Sequence, residues 1–149
     1  EEFGEQCVVV SIDIKKIDKM FTVWTENGSS QQEESLAQWL TRISKLPVGE
    51  LYLNSIDQDG TGHGYMLELL DFIPQSMTIP VILAGGAGNY HHMATGLKDN
   101  RVDAVATAHL FNFVGDGLEK SRTALFGEGF NLSVWDANKA KMLKDSVLK

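Results

Sequence analysis

The sequence predicts an α/β fold built on a parallel sheet, and three apolar runs carry that prediction. Residues 50–56, 79–84 and 102–108 are strand-like, and small or glycine-rich residues follow them. Strands that are apolar along their whole length are typical of parallel sheets covered by helices. Glycine after such a strand lets backbone N–H groups approach a ligand, and the start of the next helix favours an anion. We therefore expect a phosphate cradle, as found after the last two strands of a (β/α)₈ barrel, and a small phosphorylated ligand.

The first half of the chain alternates between strand and helix. Residues 6–13 form a β-branched run that ends in the carboxylate of Asp13, which predicts a buried first strand. Met20–Thr25 is expected to return from a hairpin. Residues 33–46 carry apolar side chains at helical spacing, and the second strand follows at residues 50–56.

The second half continues the alternation. Helices are predicted at residues 65–73, before Pro74, at 89–98, and at 117–126, with strands at 79–84 and 102–108 between them. The order βαβαβαβα is typical of an open doubly-wound sheet or of part of a barrel. We divide the chain into a unit at residues 1–129 and an extension at 130–149. The extension is expected to pack on the first unit or pair with it, through a strand-like piece at 130–135 and a helix from Asp136.

Composition excludes several classes of partner. The 149 residues are 43% hydrophobic and 22% charged, which is ordinary for a globular domain with a real core. Thirteen Lys and Arg against twenty Asp and Glu give a net charge of −7. Such a chain is not expected to bind nucleic acid or anionic membranes. Backbone N–H groups, and not the overall field, must therefore hold any anion.

The single Cys7 and the start of the chain bear on location. One cysteine cannot form an internal disulfide, which fits the reducing cytoplasm. The chain opens on Glu1 and Glu2 without an initiator Met or an apolar leader, so we expect no signal peptide. Because a buried strand follows almost at once, the sequence is expected to begin inside a larger fold.

Asp13 is the first candidate for chemistry. A carboxylate at the carboxyl end of a barrel strand lies on the face that carries the active site. The alternative is a structural carboxylate that caps a nearby loop or pairs with Lys15.

Metal binding is a weaker alternative. Asp57, Asp59, Thr61, Gly62 and Glu68 nearly match a calcium-binding loop. An apolar strand precedes them where the motif requires a helix, which argues against calcium. The adjacent histidines at 91 and 92 point in different directions on a helix and make a poor metal pair. We therefore expect no metal site and no cofactor.

Three segments resemble the cyclase subunit of imidazole glycerol phosphate synthase. They read VVVSIDIK at residues 8–15, GELYLNSIDQDGT at 49–61 with the GY pair at 64–65, and AGGAG at 84–88. They stand in the family's order, and the GY pair fits the cyclase better than its sister isomerase. The resemblance covers residues 4–127. It implies a (βα)₄ half-barrel that corresponds to strands five to eight of a (β/α)₈ TIM barrel.

The resemblance implies roles for individual residues. Asp13 is one of the family's two general acid/base aspartates, and the other, on the first barrel strand, has no counterpart in this sequence. Glu50 belongs to the charged ring at the barrel bottom through which ammonia enters from a glutaminase partner subunit. One phosphate of the substrate is held by Asp59, Gly60, Gly85, Gly86 and the backbone of Ala108 and His109.

The implied reaction belongs to histidine biosynthesis. Ammonia and a phosphoribulosyl-formimino aminoimidazole carboxamide nucleotide give imidazole glycerol phosphate and the aminoimidazole carboxamide ribotide. Asn54 and His109 depart from the family, which usually has Thr and Ser there. These departures also suit a cyclase-like paralogue in surface-sugar amidation, which again works beside a glutaminase.

A further alternative is a non-catalytic half-barrel that binds phosphate and assembles with another half. Four parallel strands cut from a closed barrel leave two unpaired edges and an apolar interior open to water. Two copies related by a two-fold axis would rebuild an eight-stranded barrel. We therefore also expect a homodimer, unless residues 130–135 cover an edge as an extra strand.

Overall fold

The computed structural model describes residues 4–108 and 116–147. Its strands are β1 Val9–Ile17, β2 Met20–Thr25, β3 Ser30–Ser35, β4 Glu50–Ser55, β5 Val81–Ala84 and β6 Ala104–Val105. Its α-helices are α1 Leu36–Ile43, α2 Tyr90–Leu97, α3 Gly117–Gly127 and α4 Ala137–Val147, with 3₁₀ helices at Glu5–Cys7 and Leu67–Phe72. No helix within these described ranges is long and apolar enough to cross a membrane.

The strands form one open sheet in the order β3-β2-β1-β4-β5-β6. β1, β4, β5 and β6 are mutually parallel, as the strand-and-helix alternation of the sequence predicts. β2 and β3 add an antiparallel extension on the outer side of β1. Within β1, only residues Asp13 to Ile17 pair with β2. The first half of β1 therefore has no neighbour on that side among the described residues.

The sheet is buried on one face only. In β4, Leu51, Leu53 and Ser55 are buried on the side that α1 and the Leu67–Phe72 helix cover, whereas Glu50, Tyr52 and Asn54 are partly exposed. The register places Ser11 beside Tyr52 and Asp13 beside Asn54, so these side chains share the second side, which we call the open face. The expectation of strands buried on both faces is therefore wrong for this chain.

The first strand is longer than the sequence predicts. β1 does not end at Asp13 but continues to Ile17, because its second half pairs with β2 through a tight hairpin. Asp18 and Lys19 form the turn with φ of 48° and 69°, the left-handed backbone that such hairpins require. Asp13 therefore lies in mid-strand.

Three other predicted segments also differ. Residues 30–35 form β3, so α1 begins at Leu36, where Ser35 and Gln38 make a capping box. The predicted helix at residues 65–73 is a 3₁₀ helix. The strand predicted at 130–135 is wrong, because these residues adopt no regular structure. The terminal helix is confirmed, and the Asp136 carboxylate accepts hydrogen bonds at its start.

Candidate functional site

A cavity of about 120 Å³ lies at the carboxyl ends of β4, β5 and β6. Its walls come from the ends of these strands and the loops after them: Tyr52, Asn54, Asp59, Gly60, Gly85, Gly86, Ala87, Ala106, Thr107 and Ala108. The structure thus brings together five residues that the sequence singles out for phosphate, namely Asp59, Gly60, Gly85, Gly86 and Ala108. The sixth, His109, lies outside the described residues.

Two of the loops interlock through their backbones. The Gly64 N–H donates to the Gly86 carbonyl oxygen over 2.7 Å. Gly86 has a φ of +105°, and a Cβ there would stand 2.1 Å from the Gly64 carbonyl oxygen. A Cβ on Gly88 would stand 2.6 Å from the carbonyl oxygen of Gly62. Glycine at 86 and 88 is therefore required by contact between the loops, before any ligand is considered.

Gly60 has a different reason to be glycine. Its φ is +75°, yet no atom of residues 4–108 and 116–147 lies within 4 Å of the place that a Cβ would take. The backbone N–H groups of Gly60, Gly86 and Ala87 donate to no protein acceptor within residues 4–108 and 116–147. Free N–H groups from successive loops at a cavity are the arrangement that binds anions. The cavity can thus accept an anionic group without a lysine or arginine in its wall.

Asp13 stands on the open face beside the cavity. The Asn54 side chain, which lines the cavity, donates from Nδ2 to Asp13 Oδ1 over 2.9 Å. Lys15 does not pair with Asp13: its Nζ lies 4.1 Å from the Trp24 ring centre. That Nζ donates to the Gly28 carbonyl oxygen over 3.2 Å. The structural alternative of an Asp13–Lys15 pair is therefore wrong, and one carboxylate oxygen of Asp13 is held in a fixed direction.

Two tyrosines bear on the cavity: Tyr52 lines it, and Tyr65 contacts the backbone of Ala106 in its wall. Burial, and then the carboxylates of Asp59 and Asp13, raise the pKa of Tyr52 above its ordinary value. Burial, and then the neighbouring Tyr52, raise the pKa of Tyr65. The Tyr65 hydroxyl donates to the Ala106 carbonyl oxygen over 3.0 Å and so fixes the backbone after β6. Both phenols stay protonated at neutral pH and can act only as neutral hydrogen-bonding groups.

Glu50 is separated from these residues. It is the first residue of β4, on the open face beside Val9, at the end of the sheet opposite the cavity. Its carboxylate forms no salt bridge within the part of the chain that the structure describes. The structure thus places an acid, without a salt bridge to any described residue, at the amino-terminal ends of the parallel strands.

The residues that resemble a calcium loop have other contacts. The Asp57 carboxylate accepts a hydrogen bond from the Lys16 backbone N–H over 2.6 Å. Glu68 forms a salt bridge with the Lys16 ammonium group. Within residues 4–108 and 116–147, no group of three or more His, Cys, Asp and Glu is placed to hold a metal ion.

The histidines of α2 also have local contacts. His92 Nδ1 accepts a hydrogen bond from the Gly88 N–H over 3.1 Å, and the backbone N–H of His92 is capped by Asn89. The His91 ring stacks on Tyr90. The two rings thus take part in separate contacts at the start of the helix.

Sequence reasoning named Asn54 only as a departure from the family, and it missed Tyr52, Ala87, Ala106 and Thr107 as lining residues. For Tyr52 a signal exists in the sequence. Side chains two apart on a strand share a face, so Tyr52 must lie on the same side as Glu50 and Asn54. The other three lie at a strand end and in loops, where no regular alternation of side chains indicates which residues face the cavity.

Comparison with known proteins shows the family of this chain. The family model described as "Histidine biosynthesis protein" matches residues 1–115. The chain belongs to this family. Similar members include the imidazole glycerol phosphate synthase subunit HisF of Chlorobaculum tepidum, 38% identical over 132 residues, 89% of this chain and 53% of the relative. The putative subunit hisF2 of Parasynechococcus marenigrum is 42% identical over 120 residues, 80% of this chain and 45% of the relative.

A third member, HisF of Prosthecochloris aestuarii, is 38% identical over 129 residues, 87% of this chain and 51% of that protein. The resemblance inferred from the sequence motifs is thus confirmed. The chain spans about half the length of the curated relatives it matches. The predicted fold class is also confirmed, since an open, mostly parallel sheet is what part of a (β/α)₈ barrel provides.

Proposed function

We propose that this chain supplies the carboxyl-terminal half of the cyclase subunit of imidazole glycerol phosphate synthase. The observation that carries the proposal is the cavity itself, where free backbone N–H groups of Gly60, Gly86 and Ala87 stand beside the Asp13–Asn54 pair. The names of the relatives favour histidine biosynthesis over surface-sugar amidation. The unit at residues 1–129 carries this site, and residues 130–149 extend it, with Arg122 of α3 bonded to the Ser133 carbonyl oxygen.

The cavity binds one phosphate of the phosphoribulosyl-formimino nucleotide in this proposal. The donors are N–H groups of Gly60, Gly85, Gly86 and Ala87, joined by the backbone of Ala108 and His109. Asp59 has a different part, because its N–H already donates to the Ser55 carbonyl oxygen over 3.0 Å and its carboxylate only accepts. Asp59 therefore shapes the loop that presents Gly60.

Asp13 transfers the proton in this proposal. Asn54 holds Oδ1, which leaves Oδ2 for the substrate. A carboxylate so fixed acts as a general base and, once protonated, as a general acid when the ring closes. The opposing aspartate and the second phosphate site come from the other half of the barrel.

Glu50 and the glutaminase belong to the opposite end. Ammonia released by a glutaminase partner subunit enters at the amino-terminal ends of the strands, where Glu50 lies unpaired within the described residues. The proposal places the protein in the cytoplasm, which suits its exposed and free Cys7.

The decisive experiment supplies the amino-terminal half of a family cyclase and measures ring closure with added ammonia. Asp13→Asn is expected to lower turnover at least about a hundredfold, the usual scale for acid–base catalysis. Asp18→Asn is the matched control, because Asp18 is exposed in the hairpin turn and asparagine tolerates its positive φ. Equal turnover of both variants, or a large loss of stability in Asp13→Asn alone, would contradict the assignment.

A second candidate is a non-catalytic half-barrel that binds phosphate and assembles with another half, including a second copy of itself. The open face favours it, as does the first half of β1, whose outer side has no partner strand among the described residues. Sedimentation of Ser11→Glu against the wild type tests assembly through that face.

A further inference from the structure

Tyr52 is the one large polar side chain in its row across the open face. The register aligns Ser11, Tyr52, Ile82 and Ala104 on neighbouring strands. Ser11 is small and leaves the phenol ring room on the β1 side, whereas Ile82 lies beside the ring on the β5 side. The ring lines the cavity from a position two residues before Asn54, deeper in the sheet than the glycine loops. Tyr52 therefore forms the floor of the cavity.

The Tyr52 hydroxyl has no hydrogen-bond partner within residues 4–108 and 116–147. After burial, the charges that raise the pKa of this hydroxyl are the carboxylates of Asp59 and Asp13. One oxygen of Asp13 is already taken by Asn54. A tyrosine hydroxyl in a cavity wall that makes no hydrogen bond to the described residues is available to donate to a ligand oxygen in that cavity.

We propose that the Tyr52 hydroxyl donates a hydrogen bond to an oxygen of the phosphate bound in this cavity, opposite the backbone N–H groups of the glycine loops. The inference rests on the proposed function and adds to it a side-chain ligand. The donor is neutral, because burial, and then the carboxylates of Asp59 and Asp13, raise the pKa of Tyr52 and keep its hydroxyl protonated at pH 7. The loop N–H groups then fix the outer phosphate oxygens, and the phenol sets how deep the phosphate enters.

The alternative for the same hydroxyl is structural. On closure of the barrel it could turn to Asp13 or Asp59 and orient a carboxylate. In that case its removal would change the protein without changing the affinity for a phosphate ion. Phosphate binding therefore separates the two roles.

The test measures inorganic phosphate binding to the full chain at pH 7 by calorimetry. Tyr52→Phe keeps the ring and removes only the hydroxyl, and it is expected to weaken binding at least about tenfold, because a hydrogen bond to a charged group is lost. Tyr90→Phe is the matched control, since Tyr90 stacks on His91 and does not line the cavity. It should bind as the wild type does.

A second measurement protects the test against a variant that fails to fold. With ¹³Cζ-labelled tyrosine, phosphate should shift the Tyr52 resonance of the wild-type chain and leave that of Tyr90 in place. Phosphate binding with no shift at Tyr52, or equal affinity in a folded Tyr52→Phe, overturns this inference alone. A folded wild-type chain that binds no phosphate overturns the anion site of the proposed function as well.

Discussion

Gly86→Ala should destabilise the chain far more than the same change at Gly60. Both residues have positive φ, so a Cβ costs roughly 1–2 kcal/mol in backbone strain at either place. At Gly86 the new methyl group also meets the Gly64 carbonyl oxygen at 2.1 Å and Gln58 Cβ at 2.9 Å. Such overpacking costs a further 1–3 kcal/mol or so. The total is a large part of the roughly 5–15 kcal/mol that stabilises a typical domain.

Urea unfolding of three variants tests this reasoning. Gly129→Ala is the control, because Gly129 has a φ of +89° and no described residue has an atom within 4 Å of its Cβ position. Gly129 lies after α3 and is not among the residues that line the cavity. Gly60→Ala should lose about as much unfolding free energy as Gly129→Ala, whereas Gly86→Ala should lose clearly more. Only Gly60→Ala, which puts a methyl group into the open cavity, should weaken phosphate binding while remaining folded. If Gly86→Ala is no less stable than Gly129→Ala, the loops do not interlock as described.

Two further predictions concern stability alone. Burial raises the pKa of Tyr65 above its ordinary value of 10.0, so above pH 10 the unfolded chain loses this proton first and the free energy of unfolding falls as pH rises. Tyr65→Phe should therefore flatten the decline between pH 9 and pH 11, measured by urea unfolding, and an unchanged slope would show that Tyr65 is not its source. Ser35→Ala removes the capping box of α1 and should cost about 1 kcal/mol, while Ser76→Ala, in an exposed loop, should cost nothing measurable. Equal midpoints for these two variants would contradict the capping role.

The parallel strands were predictable because their pattern is strong. β4 and β5 are apolar runs closed by glycine, and the structure places both in the middle of the sheet. The glycine loops were predictable for the same reason. The reason for glycine at each position was not predictable from the sequence, which shows the same residue at both. In the structure, no described atom lies near the Cβ position of Gly60, whereas that of Gly86 meets another part of the backbone.

The hairpin extension shows where the pattern fails. Ser30–Ser35 is polar throughout and gives no apolar alternation, yet it forms β3 by pairing with β2. Residues 130–135 carry apolar side chains suited to a strand, and yet Val134 is 72% exposed and no strand forms. Pairing with a neighbour decided both outcomes, and a neighbour is not visible in a local window of sequence.

The edge of the half-barrel also differs from expectation, and this bears on assembly. Residues 130–135 were the alternative cover for the edge of the half-barrel. Instead, β2 pairs with the outer side of β1 from Asp13 onward. The first half of β1 is left without a partner on that side among the described residues, and Val9 is 51% exposed there. An edge shielded over half its length still offers backbone N–H and carbonyl groups to a second chain.

Self-association through the open face therefore gives the last prediction, with Ser11→Glu as the perturbation. Ser11 is exposed beside Tyr52, so in a monomer the new carboxylate reaches water and changes stability by about 0.5 kcal/mol at most. If two copies close into a barrel, each Glu is buried near Asp13 and without a cation, at a cost of several kcal/mol, or roughly a hundredfold or more in affinity. Sedimentation velocity at micromolar concentration should then show a dimer for the wild type and for the charge-matched control Ser76→Glu, and a monomer for Ser11→Glu. A dimer in all three would place the interface elsewhere, whereas a monomeric wild type would leave the open face to the amino-terminal half of the barrel.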